Sequence, residues 1–287
     1  MQKVREWVEI IVHMSPASLE VLCPVIMELD ADGIQELDDR FKIYFPADKW
    51  NKNKETKLIN TIKQYFPEFN KTSVEKITIP YEDWNESWKD SFRTFKVTEK
   101  LVIRPDWEEY LPSGDECVIV IAPKMAFGTG HHETTQLVLR MMEKYVKKGQ
   151  KVLDAGTGSG ALAIYAAMLG AKSLVAFDID PVAIENTREN FELNKIETPH
   201  KIFAGEISQV SGRFDMLLAN IDRNILLDLA QDFTARSEPG GMVILSGLLH
   251  SDGDVILNRY SELGWKLLES DRKNEWITLV MKNEHTG

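Results

Sequence analysis

The first eighty residues show two kinds of apolar pattern, one with the period of a strand and one with that of a helix. Short strand-like runs occur at residues 4–13, 33–37, 41–45 and 77–79. Apolar side chains recur at steps of three and four in residues 19–29 and 58–66. The resulting order β-α-β-β-α-β is that of a ferredoxin-like split βαβ unit. The pattern therefore predicts a smaller α+β domain over residues 1–80.

The next segment, residues 81–98, carries aromatic side chains at helical spacing. The rings follow one another in steps of three and four at Tyr81, Trp84, Trp88, Phe92 and Phe95, which places them on one face of a helix. Such a face could stack nucleotide bases, but the acidic residues between the rings would repel a phosphate backbone. The pattern favours a linker helix between two domains.

Strand-like and helix-like patterns alternate in residues 99–287. Strands are predicted at 101–103, 117–121, 151–154, 174–178, 202–204, 216–220, 242–245, 265–268 and 276–281. Strands that alternate with helices pair in parallel, so this region is predicted to form an α/β domain with a doubly wound, mostly parallel sheet. The last seven of these segments would form that sheet. Ligands of such sheets bind outside the carboxyl ends of the strands.

Composition agrees with a globular protein. Of the 287 residues, 43% are hydrophobic and 28% are charged, which argues against a disordered chain. The densest apolar run, Val118–Ala122, is much shorter than the roughly 18 residues of a membrane-spanning helix. Glu6 and Glu9 interrupt the first apolar stretch, which a secretory signal would not tolerate, and Cys23 and Cys117 imply no disulfide framework. We therefore expect a cytoplasmic protein with no membrane contact.

The charge of the chain narrows the choice of partner. The chain has 34 Lys and Arg against 45 Asp and Glu, a formal net charge of −11. An acidic chain repels nucleic acid on average and attracts a basic protein, although the same excess can serve solubility alone. Direct binding of nucleic acid is therefore not expected.

The strongest candidate for chemistry is a glycine-rich loop at the end of the first core strand. Asp154 is followed by Gly156, Gly158 and Gly160, and Asp178 ends the next strand. Glycines allow a ligand close to the backbone, and a carboxylate at the second strand can accept hydrogen bonds from both ribose hydroxyls. This pattern fits a dinucleotide site as well as an S-adenosylmethionine site.

Two details favour S-adenosylmethionine. A pyrophosphate is disfavoured beside a carboxylate, whereas Asp154 suits a ligand with a cationic amino group. None of the seven tyrosines is followed four residues later by a lysine, the pair that many dehydrogenases use. Asp154 could instead serve as a structural cap on the loop. Together, Asp154, the glycines and Asp178 resemble the site of class I S-adenosylmethionine-dependent methyltransferases.

Two further segments resemble one group of these enzymes. The runs Ala126–Thr135 (AFGTGHHETT) and Leu217–Ile221 (LLANI) are similar to those of the ribosomal protein L11 methyltransferases. The resemblance is close from about Trp84 onward and weaker before it. It implies cofactor contacts from Thr135, Gly156, Gly158, Asp178 and Asn220, with Asp154, Phe127 and Asp180 as further candidates. The family pattern often has proline where this chain has Glu133.

The resemblance also implies the reaction. A methyltransferase of this group transfers methyl groups to lysine or N-terminal amines of a large-subunit ribosomal protein. Asn220 is then the candidate catalytic residue, orienting the attacking nitrogen. No proline or ring follows Asn220, which favours a flexible amine over a planar amide or base. The domain of residues 1–80 would dock the substrate, and residues 99–287 would bind S-adenosylmethionine.

Several alternatives stay open at this point. The chain could methylate another protein or a small amine, act as a nucleotide-dependent oxidoreductase, or use the fold as a non-catalytic scaffold. Asn220 could be a turn residue at a strand end. A metal site is not expected, because zinc-binding histidines lie one helical turn apart and His131 and His132 are adjacent. The sequence leaves open the oligomeric state, any general base, and the substrate positions and number of methyl groups.

Overall fold

The computed structural model describes residues 7–284 except for 15–17, 20–21, 23–25, 27–28, 30, 32, 38–39, 68, 70–73, 80–91 and 124–127. The chain divides into two compact units, Met1–Ser91 and Phe92–Gly287. This division lies within the predicted linker of residues 81–98, most of which is outside the described residues. The predicted domain limits at 80 and 99 therefore stay a prediction.

The first unit contains a four-stranded antiparallel sheet. Its elements are β1 (Trp7–Val12), β2 (Gly33–Glu36), β3 (Phe41–Pro46), α1 (Lys52–Tyr65) and β4 (Val74–Ile79). The strand order is β2-β3-β1-β4, and β1 pairs antiparallel with both β3 and β4. All four strands were predicted, although β4 begins three residues before the expected run.

Helices cover the apolar face of this sheet. The Asn51 side chain caps α1 by accepting the N–H groups of Asn53 and Lys54, which are otherwise unpaired at a helix start. The apolar stripe of α1 packs against the strands. The described part of the predicted first helix is helical at Leu19 and Ile26, and both side chains are buried in the same core.

The second unit is built on a seven-stranded sheet. Its elements are β5 (Phe95–Lys96), β6 (Leu101–Pro105), β7 (Cys117–Ile121), α2 (Glu133–Tyr145), β8 (Lys151–Ala155), α3 (Ala161–Met168), β9 (Ser173–Asp178), α4 (Pro181–Leu193), β10 (His200–Ala204), β11 (Phe214–Asn220), α5 (Arg223–Arg236), β12 (Ser237–Leu249), α6 (Gly253–Glu262), β13 (Trp265–Lys273) and β14 (Trp276–Asn283). The strand order is β10-β9-β8-β11-β12-β14-β13. The first five strands pair in parallel, and β14 pairs antiparallel with its neighbours. The predicted mostly parallel α/β sheet is confirmed.

Strands β5, β6 and β7 form a separate small sheet. Phe95 and Lys96, expected at the end of the linker helix, lie in β5 and pair with Ile103 and Val102. The helical expectation is therefore wrong over residues 92–98, the part of 81–98 that the structure describes, none of which is helical. Aromatic side chains at steps of three and four are compatible with a helix, but pairing with β6 satisfies the backbone here.

Apolar side chains fill both faces of the large sheet. One cluster packs α2 and α3 against it, and the other packs α5 and α6 against the opposite face. No helix within the described residues is long and apolar enough to cross a membrane.

Candidate functional site

The glycine loop joins β8 to α3 at the carboxyl edge of the sheet. The N–H groups of Gly156 and Thr157 donate to the Phe177 carbonyl at 2.9 and 3.0 Å. The Gly158 N–H donates to Asp178 Oδ2 at 3.0 Å. The loop is therefore fixed to the end of β9, where Asp178 is the last residue.

Glycine is required at two points of this loop by its conformation. Gly156 and Gly158 have φ angles of +70° and +54°, a region that favours glycine. A Cβ atom at Gly156 would also lie only 2.4 Å from Ile221 Cγ2. Any larger residue at position 156 would therefore displace the Ile221 side chain, which lines the cavity.

Asn220 and Thr135 meet although 85 residues separate them in the chain. Asn220 is the last residue of β11, and Thr135 lies in the first turn of α2. The Asn220 Nδ2 atom donates to Thr135 Oγ1 at 3.1 Å. Among the described residues, the buried Asn220 Oδ1 atom has no hydrogen-bond partner. A buried acceptor without a donor is costly, and because Asn220 lines the cavity described next, this oxygen is available to accept a hydrogen bond from a bound molecule.

A cavity of about 580 Å³ lies over these strand ends, within the size range of small-molecule sites. Five predicted residues line it: Thr135, Gly156, Gly158, Asp178 and Asn220. Its apolar wall includes Phe177, Ile179, Ile207, Ile221, Ile225 and Leu229. The structure thus brings most of the predicted site together.

Asp154 lies behind the loop and does not line the cavity. Its side chain is only 1% exposed, and it accepts a hydrogen bond from Thr157 Oγ1 at 2.6 Å. Burial raises the pKa of Asp154 to about 7, against the opposing hydrogen bonds of Thr157 and the Ala163 backbone. This geometry favours the structural role for Asp154, and direct contact with a cofactor stays a prediction.

Of the two other candidates, only Asp180 is described, and it does not line the cavity. Phe127 is outside the described residues. Asp180 accepts the Val182 N–H at 2.9 Å and caps α4. Asp178 Oδ1 in turn accepts the Asp180 N–H at 3.1 Å. Asp180 therefore helps to hold Asp178 through its backbone.

The adjacent histidines have separate structural settings. The His131 ring lies 4.8 Å from that of Phe92 and 4.3 Å from that of Phe95, measured between centroids. Burial lowers its pKa. His132 caps α2 by accepting the Thr134 N–H. Over the described ranges of the chain, neither histidine joins a group of three His, Cys, Asp or Glu side chains that could hold a metal.

Part of the cavity wall was not predicted from the sequence. Glu206, Ile207 and Ser208 line it directly after β10, and Asp228 and Asp232 line it from α5. Residues 206–208 could have been proposed from their place after a parallel strand. The contribution of α5 has no comparable sequence signal.

The residues present fit S-adenosylmethionine. Both oxygens of Asp178 are oriented by backbone N–H groups, and a carboxylate keeps further lone pairs for ribose hydroxyls. The apolar side chains of Ile179 and Ile225 offer a surface for the adenine ring. The unpartnered Asn220 oxygen supplies an acceptor deeper in the cavity.

Fold and site together define a class I S-adenosylmethionine-dependent methyltransferase. The family model described as ribosomal protein L11 methyltransferase (PrmA) matches residues 6–284. The chain therefore belongs to the ribosomal protein L11 methyltransferase family. This membership confirms the resemblance and decides against the oxidoreductase and scaffold alternatives.

Individual relatives agree with this assignment. A ribosomal protein L11 methyltransferase of Clostridium botulinum (strain Alaska E43 / Type E3) is 38% identical over 224 residues, 78% of this chain and 72% of that protein. Another, from an Exiguobacterium species (strain ATCC BAA-1283 / AT1b), is 32% identical over 96% of this chain and 99% of that protein. The crystal structure of a ribosomal protein L11 methylase from Lactobacillus delbrueckii subsp. bulgaricus has a TM-score of 0.64 at 34% identity, covering 68% of this chain and all of that chain (100%).

Proposed function

We propose that this chain transfers methyl groups from S-adenosylmethionine to lysine or N-terminal amines of ribosomal protein L11. The observation that carries the proposal is the meeting of Asn220 and Thr135 beside the glycine loop, with one buried Asn220 oxygen left free to accept. The names of the relatives supply the substrate protein, and the chemistry of the cavity supports an amine acceptor.

Each part of the cofactor has residues suited to it. Asp178 would accept the ribose hydroxyls, and the loop around Gly156 and Gly158 would bring backbone close to the methionine part. Bound S-adenosylmethionine supplies an electrophilic methyl group on a positively charged sulfur. The chain then has to orient the acceptor, because a cofactor carries the difficult chemistry and the protein supplies position.

Asn220 is the residue suited to orient the acceptor. Thr135 fixes the Asn220 amide group, so that Oδ1 can accept an N–H of the incoming amine and direct the nitrogen lone pair. Only a neutral amine can attack. At pH 7 an N-terminal amine of pKa about 7.7–8.0 is roughly 10–15% neutral, and a lysine of pKa ~10.4 far less. Burial in the cavity favours the neutral form of either.

The residues after Asn220 support a flexible acceptor. Ile221 packs against the glycine loop, Asp222 caps α5 by accepting the Asn224 N–H, and Arg223 pairs with Asp252 at 2.9 Å. None of these side chains is a ring that could clamp a planar amide or a base. A lysine or N-terminal amine needs no such clamp.

Charge supports a basic protein as the partner rather than nucleic acid. The chain has a net charge of −11, and acidic side chains at Glu206, Asp228 and Asp232 lie around the cavity. Such a surface attracts a Lys-rich protein and repels phosphates. We place the reaction in the cytoplasm, where ribosomal proteins are made.

A methylation assay tests the proposal. Purified chain, S-adenosylmethionine and ribosomal protein L11 are mixed, and mass spectrometry counts the added methyl groups and locates them. Each methyl group replaces a hydrogen and so adds CH₂, about 14 Da. We expect these additions at lysine side chains or at the N-terminus. Modification confined to glutamine, or none at all, would contradict the proposal.

The Asn220→Ala variant tests the role of Asn220 in the same assay. Turnover should fall by about 10²-fold or more, much more than the affinity for S-adenosylmethionine, because orientation of the nitrogen counts mainly in the transition state. Thr135→Val should give a smaller loss, since it removes only the hydroxyl that holds Asn220. If Asn220→Ala loses cofactor affinity and keeps its turnover at saturation, Asn220 is only part of the cavity wall.

A further inference from the structure

Helix α4 presents a buried row of uncharged polar side chains to the glycine loop. Asn186, Thr187 and Asn190 are exposed by only 1%, 0% and 0%. We call these three residues the α4 clamp. They do not line the cavity, and burying three polar side chains is costly unless each has specific partners. Their partners are backbone groups of Ala122, Gly158 and Ser159, and among the described residues only the Asn186 Oδ1 atom of the three side chains has none.

Asn190 bridges two segments of backbone. Its Oδ1 accepts the Ala122 N–H at 2.8 Å, just after β7. Its Nδ2 donates to the Ser159 carbonyl at 2.8 Å, inside the glycine loop. The Asn190 amide group therefore connects the end of β7 with the glycine loop.

The two other clamp residues reinforce the same connection. Thr187 Oγ1 donates to the Gly158 carbonyl at 2.8 Å, and Asn186 Nδ2 donates to the Ala122 carbonyl at 3.0 Å. The neighbouring Ser159 Oγ donates to the Gly128 carbonyl at 2.7 Å. Peptide groups of the loop are thus held from α4 while the Gly158 N–H is held by Asp178.

We infer that Asn190, supported by Thr187, is a positioning residue for cofactor binding. Its bonds fix the glycine loop to Ala122 at the end of β7, and together with the bond from Ser159 to the Gly128 carbonyl they set the width of the cavity edge at Gly128. The inference rests on the proposed cofactor site. It assigns a role in affinity to residues that touch neither cofactor nor substrate.

Asn194, the C-cap residue of α4 and four positions after Asn190, provides a control. Its Oδ1 accepts the Val120 N–H at 2.8 Å, and its Nδ2 donates to the Val120 carbonyl at 2.6 Å. Nδ2 also donates to the Asn190 carbonyl at 2.7 Å, a backbone group of the helix and not the Asn190 side chain. Val120 lies in β7 and not in the glycine loop. A loss of amide bonding at Asn194 should therefore affect stability without reaching the cavity.

The experiment compares Asn190→Asp with Asn194→Asp in the full chain. Each substitution keeps an acceptor and replaces the amide donor with a second oxygen. Calorimetric titration with S-adenosylmethionine should show an affinity at least about fivefold weaker for Asn190→Asp and unchanged for Asn194→Asp. In the methylation assay, Asn190→Asp should raise KM for S-adenosylmethionine and keep kcat at saturation. Thermal unfolding measures the stability of both variants.

Three results would overturn the inference. Asn190→Asp could bind S-adenosylmethionine as tightly as the unaltered chain, or both variants could lose affinity equally. If Asn190→Asp does not fold, Thr187→Val and Thr187→Ser test the inference in its place. Thr187→Val should bind S-adenosylmethionine more weakly than the unaltered chain. Thr187→Ser keeps the hydroxyl and should bind it as tightly as the unaltered chain. Equal affinity of Thr187→Val and Thr187→Ser for S-adenosylmethionine would contradict the role inferred for the α4 clamp. Failure of the unaltered chain to bind S-adenosylmethionine would instead overturn the proposed function.

Discussion

Asp178 performs two hydrogen-bonding tasks with one carboxylate. It accepts the N–H groups of Gly158 and Asp180, and it faces the cavity with its remaining lone pairs. A carboxylate oriented in this way needs little rearrangement to accept ribose hydroxyls. The residue therefore links the shape of the loop to the affinity for the cofactor.

Asp178→Ala should weaken S-adenosylmethionine binding about five- to 150-fold, since unpaired buried hydroxyls cost roughly 1–3 kcal/mol. Calorimetric titration measures the change. Asp180→Ala is the control: it removes a helix cap, worth about 0.5–2 kcal/mol of stability, but leaves the cavity lining intact. An affinity in Asp178→Ala equal to that of the unaltered chain would remove this carboxylate from the site.

Asp154 gives the folded chain a pH-dependent stability. Burial raises the pKa of this carboxyl to about 7, whereas an Asp in the unfolded chain has a pKa of about 3.9. The folded state thus keeps its proton at pH values where the unfolded state has lost it. The resulting contribution to stability is full below the unfolded pKa and is lost as pH rises toward 7.

Asp154→Asn removes this titration. As pH rises from 4 to 8, the free energy of unfolding of Asp154→Asn should increase relative to the unaltered chain by on the order of a few kcal/mol. Denaturant titrations at a series of pH values, without cofactor, measure the difference. A difference that does not change with pH would show that Asp154 titrates normally.

At the scale of elements, β12 shows how a strand can depart from its sequence pattern to serve the site. The expected strand at 242–245 is the centre of a longer one, Ser237–Leu249. Its pairing register with β14 shifts between Leu245 and Leu248. Gly247 lies at this irregularity with φ at +81°, and β12 there approaches the backbone of Ile221.

Gly247→Ala should lower both stability and cofactor affinity. The new Cβ would lie 2.5 Å from the Ile221 carbonyl oxygen, and Ile221 lines the cavity. Gly149→Ala is the control, because Gly149 also has a positive φ, +90°, but has no atom within 4 Å of the built Cβ. Both variants should lose about 1–2 kcal/mol to backbone strain.

Thermal unfolding and calorimetric titration separate the two effects. Only Gly247→Ala should lose further stability and bind S-adenosylmethionine more weakly. Identical behaviour of the two variants would mean that β12 does not constrain Ile221.

Sequence periodicity predicted the strands and helices of the second unit because each has an apolar face or an apolar run. It failed where pairing between distant segments decides the structure. Phe95 and Lys96 lie in a strand because β6 is available to pair with them. Pro239 and Gly240 are residue types that favour turns, yet they lie within β12, where its pairing with β11 shifts between Phe214 and Met216.

The candidate site was predictable where the chain itself carries the pattern. The glycine loop, Asp178 and Asn220 follow parallel strands, and the sheet brings such positions together. The α4 clamp was not predictable. Asparagines at steps of four resemble a solvated helix face, and only the packing of α4 against backbone shows that Asn186 and Asn190 are buried.

At the scale of the whole molecule, the two compact units suggest a division of labour. Within the part of the chain that the structure describes, the residues that line the cavity lie in Phe92–Gly287, from Gly128 onward. A methyl-transfer site does not itself recognise one protein among many. The first unit is therefore the candidate for docking ribosomal protein L11.

A chain that begins at Tyr81 tests this division. It should bind S-adenosylmethionine about as tightly as the full chain and methylate L11 slower by orders of magnitude, because positioning of the substrate is lost. Cofactor titration of both chains is the control for folding. Methylation at the full rate would place the recognition surface on the second unit.

The uncharged nature of the α4 clamp has a consequence for the response to ionic strength. Salt screens charges over about 8 Å at 0.15 M, but amide, hydroxyl and peptide groups carry no net charge to screen. Capture of a basic partner by an acidic chain weakens as salt rises. The glycine loop, held through Asn190 and Thr187, keeps its geometry over the same range. Rising salt would therefore slow the encounter between enzyme and substrate, while the glycine loop at the cofactor site keeps its conformation.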